Sequence, residues 1–128
     1  MRGALICSLL VLALAAPSLA AAEEKKAKQS YLQLPTLAAT VNQPGGRRGV
    51  MTVEVGLDAP DAALRDRLDL YQPILRSAYV SVLQPYALGL TPGSPPNADY
   101  IAMTLQRETD RVLGRRGARL LLGTILVN

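Results

Sequence analysis

Histidine, phenylalanine and tryptophan are absent from this sequence, and cysteine occurs once, at Cys7. Without histidine the chain lacks the commonest metal ligand and the side chain best suited to proton transfer near neutral pH. Acid–base chemistry would fall mainly to carboxylates. Because Cys7 sits in the N-terminal leader, the rest of the chain has neither a disulfide nor a thiol nucleophile. Five tyrosines carry all the aromatic packing, so the core is expected to be aliphatic. The formal charge is +4 and drops to about +3 without Arg2, a mild excess rather than a nucleic-acid signature.

The 128 residues show no internal repeat, which points to one domain behind a leader. Residues 1–20 read as a signal peptide: Arg2 supplies the charged start, residues 4–16 an apolar run, and Pro17-Ser18-Leu19-Ala20 a helix break with small residues at the cleavage positions. Cleavage is expected after Ala20. The alternative is an uncleaved membrane anchor, since the uncharged span 3–22 just reaches across a bilayer. Residues 21–29 form a charged tether poor in apolar side chains, and the ordered domain is expected over residues 30–128.

Within that domain, Tyr31-Leu32-Gln33-Leu34 runs through Pro35 into Leu37-Ala38-Ala39-Thr40-Val41, an irregular first strand with Pro35 at an edge or bulge. Residues 42–49 make a turn, and Val50-Met51-Thr52-Val53-Glu54-Val55 gives a second, antiparallel strand rich in β-branched residues. Over residues 58–83 apolar side chains recur at helical steps, at Leu64, Leu68, Tyr71, Leu75, Ala78 or Tyr79, and Val82. This predicts an amphipathic helix capped by Asp58, bent or broken near residues 69–73 by Pro73 and ended by Pro85. The part after Pro73 is too apolar for one buried face. Its Ile74, Tyr79 and Val82 are candidate partner contacts.

A Pro- and Gly-rich loop over residues 88–96 precedes a second helix, capped by Asn97 or Ser94 and stopped by Gly114, with Leu105, Thr109 and Val112 facing inward. Residues 120–127 are apolar at nearly every position, which predicts a last strand covered on both faces and central in the sheet. The expected fold is therefore α+β, a small sheet in the order β-β-α-α-β with two helices packed on one face.

Chemistry is harder to place than architecture. No carboxylate pair sits in a context that would push two pKa values apart, and no phosphate loop, nucleophile elbow or calcium-loop spacing is present. The expectation is a non-enzymatic protein with no cofactor or metal. Arg107, Arg111, Arg115 and Arg116 cluster at the end of the second helix, where they either complement the negative helix terminus or bind acidic lipid or an acidic partner. No stacking aromatics are interleaved with them, so nucleic acid is not an expected partner.

Taken together, Tyr31-Leu32-Gln33-Leu34-Pro35, the 50–57 strand, the Pro73-containing helix, Arg111-Val112-Leu113-Gly114 and the 120–127 strand resemble, in their order, the periplasmic domain of the FliL family of flagellar basal-body-associated proteins. The resemblance covers residues 30–128. It implies a fold similar to the stomatin-type domain, self-association, and contact with the flagellar stator or another inner-membrane protein in support of motility. Implied too are a periplasmic location and proximity to the membrane. Family members keep a longer anchor after a cytoplasmic stub, whereas this leader looks cleavable and residues 90–97 are unusually rich in proline. A general envelope adaptor of the same fold, unrelated to motility, is the alternative reading.

Overall fold

The computed structural model describes residues 30–128. The expected signal peptide, its expected cleavage after Ala20 and the expected 21–29 tether lie outside the described residues. Strands β1 (Tyr31–Gln33), β2 (Leu37–Asn42) and β3 (Arg48–Asp58) come first, followed by helices α1 (Ala62–Gly89) and α2 (Ala98–Leu113) and by strand β4 (Arg119–Val127). The protein is α+β, as its residue pattern predicts.

Pairing turns on β3, not on the last strand. β1 runs antiparallel along the C-terminal end of β3 and β2 along its N-terminal end, so the two short strands share one flank with the Pro35 interruption between them. On the other flank lies β4, from Arg119 opposite Asp58 to Val127 opposite Met51. Among the described residues β4 pairs with no other strand and is an edge, which corrects the expectation of a central position. A β-bulge accounts for much of the apolar run that suggested otherwise: Val53 pairs with Ile125 but Val55 with Leu122, so β4 carries one residue more than β3 between these pairs. That extra residue shifts the side-chain phase. Leu120 and Leu122 before the bulge, and Ile125 and Val127 after it, all share the face of Val53 and Val55. A Cβ at Gly123 would come within 3.0 Å of the Glu54 Cβ, so glycine permits the close approach there.

Both helices pack on one face of this sheet. Its inward side chains, Leu37, Ala39, Val41, Met51, Val53, Val55 and Leu57, meet Leu64, Leu68, Leu75, Tyr79 and Leu83 of α1 and Ile101, Leu105 and Leu113 of α2. Helix α1 starts later than its pattern predicts, because Asp58 is the last residue of β3 and Asp61 is the cap, its carboxylate accepting from the Ala63 N–H at 2.9 Å. The helix then runs unbroken through Pro73 and Pro85, correcting the expected break at the first and stop at the second. Both prolines are exposed, so their missing bonds fall on the solvent side while the buried residues continue past them. Helix α2 is capped as expected, Asn97 accepting from the Tyr100 N–H at 3.0 Å, and ends at Gly114 with φ 72°.

Two glutamines close the sheet margins. Gln84 of α1 accepts from the Thr40 N–H and donates to the Thr40 carbonyl, both at 3.2 Å, in the middle of the β2 edge. Gln106 of α2 accepts from the Leu120 N–H at 2.7 Å and donates to the Ala118 carbonyl at 2.8 Å, where β4 begins. Each side-chain amide acts as a one-residue substitute for a missing neighbour strand.

Candidate functional site

The apolar residues flanking Pro73 separate into two populations. Leu75, Ala78, Tyr79 and Leu83 are buried, whereas Leu70 is 75% and Ile74 51% exposed. Leu70, Ile74, Ser77 and Ser81 follow one another at helical steps along the outer side of α1. Ile74 opens into a groove of about 670 Å³ between the two helices, lined by Pro73, Ile74, Ser77, Ala78, Ser81, Val82, Glu108 and Arg111. Its floor is made of small side chains, which let another apolar surface approach the helix backbone.

The groove gathers three of the residues singled out from sequence, Ile74, Val82 and Arg111. Tyr79 is not among them. It is 0% exposed, and its hydroxyl bonds to the buried Thr109 hydroxyl, so it is a core residue rather than a contact. Helical periodicity placed Tyr79 beside Ala78 as interchangeable inner positions, and both are buried.

The arginines also divide. Arg111 binds Glu108 at 2.5 Å one turn earlier, and this carboxylate holds the Arg111 pKa above its ordinary value. Arg115 reaches across to Asp61 at 2.5 Å, tying the turn after α2 to the start of α1. Arg107 and Arg116 are exposed, the latter beside Gln106 and Asp110 in a shallow depression. The negative end of α2 is met by Arg67 of α1, which donates to the Leu113 carbonyl at 2.7 Å. Sequence reasoning missed Arg67 because the contact joins residues far apart in the chain. The paired charges make the rim of the groove polar but nearly neutral.

The Arg115 guanidinium and the Ala63 N–H hold the Asp61 carboxyl below its ordinary 3.8. A depressed folded-state value gives stability that is complete above the unfolded pKa and is lost as pH falls through the folded one. Asp61→Asn keeps a capping oxygen but loses the charge. The variant is therefore expected to be less stable than the parent near neutral pH and to converge with it as pH falls below the lowered Asp61 pKa, as read from urea midpoints.

Chemically the groove offers two exposed hydroxyls, an apolar wall and a carboxylate already engaged by arginine, an arrangement suited to holding a surface rather than to activating a nucleophile. Among the described residues no group of three or more acidic, histidine or cysteine side chains is placed to hold a metal ion. No helix among them is long and apolar enough to cross a membrane. A second, smaller cleft of about 390 Å³ lies between the 90–96 loop and the end of the sheet, lined in part by Val41, Ile125 and Val127. Compared with known proteins, the chain matches no protein-family model and no curated protein.

Proposed function

We propose that this protein is a non-enzymatic interaction module of the bacterial periplasm, resembling the FliL family, that supports the flagellar motor by packing against the stator and against itself. The observation that carries the interaction reading is the exposed Leu70–Ile74 side of α1 leading into a groove with a small-residue floor. A large aliphatic side chain left in water beside such a groove gains about 1.5–3 kcal/mol when covered. The motor assignment draws support from the order of elements, in which a Pro73-containing helix and a closing strand follow the sequence of the resemblance.

Deleting the gene is expected to reduce swimming in soft agar without altering growth or envelope integrity. Unchanged swimming would sink the motor role. Affinity capture from envelope fractions is expected to recover stator subunits with the parent protein, and Ile74→Asp is expected to reduce that recovery while leaving the melting temperature close to the parent's. Consistent absence of stator subunits, with another inner-membrane complex recovered instead, would favour the general adaptor.

A further inference from the structure

Among the described residues the β4 edge is covered by a side chain only at its start. Val50 and Asn128 exchange both backbone bonds, at 2.9 and 3.0 Å, which sets the alternation at that end: the N–H and C=O groups of Ile125 and Val127 point away from β3. At the other end the Leu120 N–H, taken by Gln106, also points away from β3, and Leu122 follows it by two residues. The outward-directed residues are therefore 120, 122, 125 and 127. Only the first of them has its N–H met by the Gln106 plug, whereas the β2 edge is plugged in its middle by Gln84.

We infer that residues 121–126 of β4 pair antiparallel with the same strand of a second copy of this chain, joining two sheets into one across a two-fold axis at the Gly123–Thr124 bulge. The choice of a second copy rests on symmetry. Because of the bulge, the outward set reads identically in both directions, so Leu122 of one copy faces Ile125 of the other and the reverse. On the opposite face the same register sets Leu121 against Leu126. No charged side chain occurs between Leu120 and Asn128, so no like charges oppose one another, and each Arg119 falls outside the paired span. Beyond the bulge and the Gln106 plug, residues 121–126 carry neither the charge nor the proline that keeps exposed edges from pairing.

The apolar surface around the strand extends the contact. Leu126 is 53% and Val127 43% exposed, and Met103, one helical turn ahead of Gln106 on α2, is 55% exposed. Strand pairing alone covers less than the roughly 800 Å² per partner of a standard interface, and the Met103 side of α2 lies where it would add to that area.

The pairing deepens the self-association proposed above and has its own test. In the full chain carrying Cys7→Ser, the double variant Leu121→Cys/Leu126→Cys is expected to give a covalent dimer on mild oxidation, at least about tenfold more than either single variant, because only the double variant sets cysteines opposite one another. Leu126→Lys in the otherwise unaltered chain is expected to weaken dimerisation by about tenfold in sedimentation equilibrium, since Leu126 is exposed and its own bonds to β3 remain. Equal cross-linking in single and double variants, or a monomer at concentrations of about 100 μM, would overturn the pairing. A motility defect in a strain whose protein stays monomeric would sink strand pairing alone. A covalent dimer in a protein whose loss leaves swimming intact would sink the motor role alone.

Discussion

Replacing Tyr79 with alanine is expected to lower the unfolding free energy by about 3–5 kcal/mol, the range for emptying a large aromatic site in a packed core. The ring is fully buried on the inner side of α1, where its hydroxyl meets Thr109 of α2. Its hydroxyl matters less than its volume. Thr109 donates to the Leu105 carbonyl at 2.8 Å, so the tyrosine O–H is the donor in the Tyr79–Thr109 bond. Tyr79→Phe leaves Thr109 bonded to Leu105 and should cost only about 1 kcal/mol. Against a typical total of about 5–15 kcal/mol, the alanine variant loses a large share of its stability and the phenylalanine variant a small one.

The same hydroxyl predicts an alkaline weakness. Burial raises the Tyr79 pKa from 10.0 to about 12, with the Asp110 and Glu108 charges adding to the rise. Because the folded value exceeds the unfolded one, the neutral phenol's contribution is complete below about pH 10 and disappears as pH rises toward 12. Integrated over that window the loss is on the order of 2–3 kcal/mol. Urea midpoints measured across the window should fall in the parent. In Tyr79→Phe this component of the fall should vanish, and an identical decline in both proteins would refute the assignment.

Leu75 and Ile74 form the second test, because they are adjacent in sequence and opposite in environment. Leu75 is 0% exposed and Ile74 51%. Leu75→Ala is expected to cost about 2–5 kcal/mol and Ile74→Ala no more than about 0.5 kcal/mol. Chemical denaturation of both variants measures how α1 is rotated on the sheet. Equal costs would mean that the helix presents a different face to the core, and the groove containing Ile74 would lose its basis. The expected result also separates stability from binding, since Ile74 is the position whose change should weaken partner capture without unfolding the domain.

Local chemistry accounts for what was legible in advance. Asn97 and Gly114 mark both ends of α2 because an N-cap oxygen and a left-handed C-terminal residue are local requirements. The Pro35 interruption between β1 and β2 is equally local, since proline has no N–H to give to a ladder. The rest depended on partners distant in the chain. Pro73 and Pro85 look like helix breaks in isolation, yet each removes one bond on the exposed side, while Leu68, Leu75, Tyr79 and Leu83 stay anchored to the sheet. Tyr79 and Ile74 both belonged to an apolar run, and only the rotation of α1 assigned one to the core and the other to the surface.

By itself the sequence determined the order and type of the elements, the α2 caps and the absence of histidine and domain cysteine chemistry, because each follows from neighbouring residues or from composition. Only the tertiary structure decided that β3 is central and β4 an edge, since strand order is set by long-range pairing, and a one-residue bulge lets Leu120, Leu122, Ile125 and Val127 share one face of a strand that reads as apolar throughout. It alone revealed Arg67 at the end of α2 and Gln84 and Gln106 on the sheet margins. Those three side chains bond to backbone groups brought near them by folding, and nothing in their own neighbourhoods specifies it.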